Sequence, residues 1–152
     1  MSISKITNYI INLFHQDKLV NTIELSDSEI IDKKKESIKP IVSIIFKGTS
    51  NSDDYLNYDY TIYVLQQRDS NRKIKPSKLM EETNYLDNLN ECEDICNNFI
   101  NFVRRFELDL PINIENEINL DPIFEYGGAN LDGFVFDLRV QMPNTGYCGT
   151  NN

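Results

Sequence analysis

The sequence has no tryptophan, one histidine, three cysteines and no long run of apolar residues. A membrane-spanning helix needs about 18 or more consecutive apolar residues, and no segment approaches that length. The first residues also include Asn8, Asn12 and Asp17, where a signal peptide would need an apolar core. We therefore expect neither export nor membrane insertion, and we expect synthesis in a cytosol.

The cysteines Cys92, Cys96 and Cys148 form an odd set without a paired framework, as is typical of reduced thiols in a cytoplasm. Cys92 and Cys96 are one helical turn apart on an apolar stripe, which predicts buried thiols. A zinc site needs three or four ligands, and the sequence has neither a CxxC pair nor a second histidine. Cys148 lies in a Gly-containing tail, where we expect it to be exposed. We predict no metal and no cofactor.

Few residues could support catalysis. The one histidine, His15, falls at the predicted end of the first helix, where it favours the helix dipole and has no nucleophile beside it. Acidic pairs such as Asp53-Asp54 and Glu81-Glu82 lie on predicted loops, with no sign of the two distinct environments that acid-base catalysis requires. Gly127-Gly128 is not followed by a helix that would bind phosphate. We expect no enzymatic activity.

The net charge is -9, and this argues against broad binding of nucleic acid, which depends on Lys and Arg neutralising phosphates. The charges are unevenly distributed, because a basic segment over 68–78 is followed by an acidic stretch over 107–137. Such polarity would suit head-to-tail contact between copies, but two solvated loops of opposite sign are the commoner cause of this pattern. The candidate subunit-contact residues are Arg68, Arg72, Lys73, Lys75, Lys78, Glu115, Glu117 and Asp121.

The first half of the chain predicts a helix followed by strands. Apolar residues recur every three or four positions from Ile3 to Phe14, which predicts an amphipathic helix. A short strand follows, with Ile23 and Leu25 as apolar positions. Pro40 opens a β-branched run that is predicted to be a strand covered on both faces. The residues from Gly48 to Asp54 predict a turn, and 58–67 forms the second strand of a long hairpin.

The second half predicts one long helix and a final strand. Asn84 is the predicted N-cap, and Leu86, Leu89, Glu93, Cys96, Ile100 and Val103 are predicted to share one side of the helix. Residues 118–124 predict a strand that Pro122 confines to an edge or a bulge. From Phe134 to Met142 apolar residues alternate strictly with others, so Phe136 and Leu138 should be buried. Asp132-Gly133 is predicted to supply the turn before this strand.

These elements predict a single α+β domain over 1–152, in which an antiparallel or mixed sheet with a long β-hairpin packs against an N-terminal helix and a long central helix. We predict charged loops at 26–39 and 68–79, and a flexible C-terminal tail at 143–152.

The order of elements resembles that of tail-terminator and tail-completion proteins of long-tailed phages. The segment from Asn130 to Asn144, followed by Tyr147-Cys148, is similar to the C-terminal strand and tail of neck or tail-ring proteins of crAss-like phages that infect Bacteroides. Frequent Asn and Ile also fit a low-GC genome. The loop from Ser26 to Lys39 departs from that family's pattern.

The resemblance implies a structural subunit of the virion neck or tail. Such proteins form closed homo-oligomeric rings between portal and tail, contact other portal, neck and tail proteins, and let the genome pass through the lumen without specific binding. The alternative function is a small acidic intracellular module, similar to an inhibitor or adaptor, that recognises a basic site on a partner protein.

Overall fold

A computed structural model of the chain describes residues 3–27, 39–69, 84–105, 112–126 and 130–144. These residues form two helices and a six-stranded sheet. The helices are α1 (Ile3–His15) and α2 (Tyr85–Arg105), and the strands are β1 (Thr22–Ser26), β2 (Ile41–Asn51), β3 (Tyr55–Gln67), β4 (Asn113–Ile114), β5 (Asp121–Tyr126) and β6 (Leu131–Pro143).

The strands are ordered β1-β2-β3-β6-β4, and β5 also pairs with β6. β1 lies parallel to β2, whereas the other pairs are antiparallel. The sheet is therefore mixed, and β2 and β3 form a long hairpin. The predicted α+β fold, with an N-terminal helix and a long central helix, is confirmed.

Both helices contribute to one core with one face of the sheet. The ring of Phe99 on α2 stacks on Phe14 of α1 with centroids 4.2 Å apart, and its centroid lies 6.0 Å from that of Phe136 on β6. The hydroxyls of Thr7 and Tyr60 hydrogen-bond at 2.9 Å and join α1 to β3. The predicted burial of Phe136 and Leu138 is confirmed.

The opposite face of the sheet has a second apolar cluster at one end. It consists of Ile41, Ile45, Tyr63, Leu65 and Leu131, with Ile123, Tyr126 and Val135 packed against them. Since Val42 and Ile44 belong to the helix-side core, β2 is covered on both faces, as predicted. This explains why residues 41–45 do not alternate between apolar and polar, with Ser43 as the one polar residue among four β-branched apolar ones.

The hairpin is longer than predicted. Gly48 lies inside β2 beside a bulge, not in the turn. Its φ of 152° is a backbone conformation that favours glycine. β2 ends at Asn51 and β3 begins at Tyr55. The side-chain amide of Asn144 donates hydrogen bonds to Asn51 Oδ1 and to the carbonyl oxygen of Ser52, each at 3.0 Å. β6 and Asn144 therefore extend into the predicted tail, 143–152, whose residues beyond Asn144 lie outside the described part.

Asp132-Gly133 lies inside β6 and does not form the predicted turn. An added Cβ at Gly133 would lie 1.9 Å from the carbonyl oxygen of Val64, so this glycine lets β3 and β6 approach closely. Gly127-Gly128 falls outside the described residues. β5 contains Pro122 and has a register shift between Ile123 and Tyr126, which confirms the predicted edge position or bulge.

The predicted face of α2 is partly wrong. Leu86 is 59% exposed and Glu93 is also exposed. Asn88 and Ile95 are instead buried, together with Cys92, Cys96, Phe99 and Ile100. Asn88 is polar, so a search for apolar spacing misses it. The buried face begins later along the helix than the apolar Leu86 suggested.

β1 is an edge strand in which a charged residue is buried and an apolar residue is exposed, the reverse of the usual pattern. The register pairs Leu25 with Ile44 and Glu24 with Ser43. Leu25 therefore points toward the helix side of the sheet, yet it is 59% exposed, while Glu24 is buried at 9% exposure. Leu25 was a predicted apolar position of β1, but it is exposed because the helices do not cover that end of the strand.

Candidate interaction surfaces

A charged network of Arg68, Asp132 and Glu125 lies just after the last residue of β3. Arg68 donates from Nε to Asp132 Oδ2 at 2.9 Å and from a terminal nitrogen to Asp132 Oδ1 at 2.8 Å. Its other terminal nitrogen contacts Glu125 Oε1 at 2.5 Å. The side chains of Arg68 and Asp132 are 12% and 0% exposed. The hydrogen bond from Arg68 to Asp132 raises the pKa of Arg68, so this residue stays charged, and such a bidentate pair fixes geometry as well as charge.

The same network holds the first residues of α2. Asn88 donates to Asp132 Oδ2 at 3.3 Å and to the carbonyl oxygen of Gln67 at 3.0 Å. Asn84 occupies the predicted N-cap position, since its carbonyl oxygen accepts from Asn88 N. Its side-chain oxygen, however, accepts from Asp69 N at 2.7 Å. Asn84 thus ties the start of α2 to the residues that follow β3.

The bulge in β5 places two neighbouring side chains near this network. Glu125 has a φ of 50°, and its amide N–H donates to Asp132 Oδ1 at 3.1 Å. Phe124 is 52% exposed and meets the ring of Tyr85 edge-on at 5.8 Å. Arg68 lies over the same tyrosine ring, 5.5 Å from its centroid. A bulge commonly redirects side chains in this way.

A second polar surface lies on the sheet face opposite the helices, toward the hairpin turn. Arg139 forms two hydrogen bonds with the carboxylate of Asp59, at 2.7 and 3.2 Å. Thr61 donates to Asp137 Oδ1 at 2.7 Å. A groove of about 390 Å³ runs beside them, and its lining also includes Lys47 and Glu115. The groove has three carboxylates and two cations, a small acidic excess.

The structure places only some of the predicted contact residues. Glu115, Glu117 and Asp121 are exposed along β5 and the link that joins it to β4. Arg68 is bound inside its own chain, so its use as a contact with another subunit is not supported by its position. The remaining candidates, Arg72, Lys73, Lys75 and Lys78, fall outside the described residues, but the segment that contains them begins and ends at Asp69 and Asn84, which are hydrogen-bonded to each other.

The cysteines of α2 are buried thiols, as predicted. Burial raises the pKa of Cys92 to about 12 and raises the pKa of Cys96 as well. Among the described residues no group of three or more His, Cys, Asp or Glu side chains could hold a metal ion. His15 is exposed in the last turn of α1, and Cys148 lies outside the described part. Neither described helix is long and apolar enough to cross a membrane.

The sequence interpretation missed two residues of the charged network, Asp132 and Asn88. Asp132 was missed because Asp-Gly is a common turn pair. The signal that could have placed it in a strand is its position two residues before Phe134, in step with the period-two pattern of β6. No protein-family model matches the sequence, and no curated protein is significantly similar to it.

Proposed function

We propose that this chain is a non-enzymatic structural subunit of the neck or tail of a tailed bacteriophage. In this proposal, copies of the chain form a closed homo-oligomeric ring between portal and tail. The ring contacts other portal, neck and tail proteins and lets the genome pass through its lumen. The chain is made in the host cytoplasm and resides in the virion.

One observation carries the proposal, namely that the two ends of the sheet differ in chemistry. β1 lies at one end of the strand order, and β4 and β5 lie at the other. The β4–β5 end carries the exposed carboxylates of Glu115, Glu117 and Asp121. The β1 end carries one exposed carboxylate, that of Asp27 just after the strand, since Glu24 within β1 is buried. Head-to-tail contacts require two different surfaces on one subunit, and a ring results when the rotation between neighbours closes.

The charge of the chain supports passage of DNA without binding. The net charge is -9, and the groove lined by Asp59, Asp137 and Glu115 has a small acidic excess. A lumen of acidic character repels the phosphates of the genome, since nucleic-acid affinity depends on cations that neutralise them.

Proteomic measurement of purified virions from the phage that encodes the chain tests this function. We expect the chain in stoichiometric amounts, and we expect rings in micrographs of the neck or tail. Expression of the chain in infected cells without its incorporation into virions would contradict the proposal. If a pull-down then recovered one basic, non-virion partner at equal stoichiometry, the acidic adaptor would replace it.

A further inference from the structure

We draw no further inference here: the strongest candidate, the polar groove of about 390 Å³ on the sheet face opposite the helices, is lined by side chains that already bind one another, Asp59 with Arg139 and Thr61 with Asp137, and nothing in the structure shows what would occupy it.

Discussion

Arg68 and Asp132 form a bidentate ion pair across 64 residues of sequence, with the Asp132 carboxylate fully buried. The pair joins the end of β3 to the start of β6, and Asn88 links it to α2. A buried charge is tolerated when its partner and its hydrogen bonds are present, and it becomes costly when the partner is removed.

Replacing one partner of this pair should therefore be more harmful than replacing both. Asp132→Ala should lower the free energy of unfolding by about 3–5 kcal/mol, because the guanidinium of Arg68 remains in a mostly buried position without its carboxylate. Arg68→Met combined with Asp132→Leu should cost less than either of these two changes made alone. Urea unfolding of the wild type, the two single variants and the double variant measures the coupling. Additive losses would show that the two side chains do not act as a unit.

Gly133 should be intolerant of any side chain. Gly133→Ala places a Cβ 1.9 Å from the carbonyl oxygen of Val64, so β3 and β6 must separate locally, at a cost of about 1–3 kcal/mol or more. Gly48→Ala is the comparison, because nothing lies within 4 Å of its added Cβ and its cost arises from backbone conformation alone. Thermal unfolding should show the larger loss at Gly133. Equal melting of the Gly133 variant and the wild type would contradict the close approach of the strands.

Phe136 lies at the centre of the helix-side core and is 1% exposed. Phe136→Asp should cost several kcal/mol, since an unpaired charge would enter the core against the ring of Phe99. Asp137→Ala on the same strand is the control, because Asp137 faces the opposite side and its hydrogen bond to Thr61 is part-buried. Circular dichroism with denaturant should show loss of the folded state for the Phe136 change alone. Unchanged melting would mean that the faces of β6 are reversed.

The stability of the protein should fall at alkaline pH because of its buried thiols. Desolvation raises the pKa of Cys92 from 9.0 to about 12, and it raises the pKa of Cys96 too. Above a pH of 9.0 the unfolded chain releases thiol protons that the folded chain retains, so the unfolded state binds fewer protons and stability declines as pH rises toward about 12. Tyr9 and Tyr60, whose pKa values burial also raises, add to this decline.

Denaturant unfolding between about pH 8 and pH 11 measures that dependence. A chain with Cys92→Ala and Cys96→Ala should be less stable at the lower pH, because cavities remain where the sulfur atoms were, but its stability should decline less with pH. At about pH 8, thiol reagents should modify Cys92 and Cys96 of the wild type no faster than the protein unfolds. Modification of both residues as fast as an exposed thiol would contradict their burial.

The basic segment should contribute to assembly and not to folding. Charge reversal of Arg72, Lys73 and Lys75 to Glu should impair ring formation while leaving the melting temperature within a few degrees of wild type, because each exposed pair is worth about 0.2–1 kcal/mol and is screened by salt. The expected partners are Glu115, Glu117 and Asp121 of a neighbouring copy, which are exposed on the β4–β5 end. Light scattering at low and high salt checks this. Normal assembly at both salt concentrations would assign the segment to a solvated connection or to another partner.

The strongest periodic patterns correctly predicted the main elements of the fold. The alternation along β6 and the helical spacing of α1 reflect burial on one face, so both can be read locally. Asp132-Gly133 and Gly48 favour turns by local preference alone. In the structure, Asp132 lies in β6, where it forms an ion pair with Arg68. Gly48 lies in β2, next to the bulge at Lys47. Tertiary contacts between distant residues override local preference at these positions.

The candidate interaction surfaces were less predictable than the fold. The acidic residues of the β4–β5 end are exposed, as charged side chains usually are. The exposure of Leu25 depends on its position in an end strand beyond the reach of the helices, and the exposure of Phe124 depends on a bulge. Neither property follows from hydrophobicity along the chain. Both require knowledge of which strands are neighbours.

The most direct test of the proposed function is a side-chain-resolution micrograph reconstruction of the virion neck and tail of the phage that encodes the chain. We predict a closed ring of identical subunits between portal and tail, each with the strand order β1-β2-β3-β6-β4 and with α1 and α2 on one face of the sheet. A neck and tail fully accounted for by other proteins, with no density that fits this fold, would contradict the proposal.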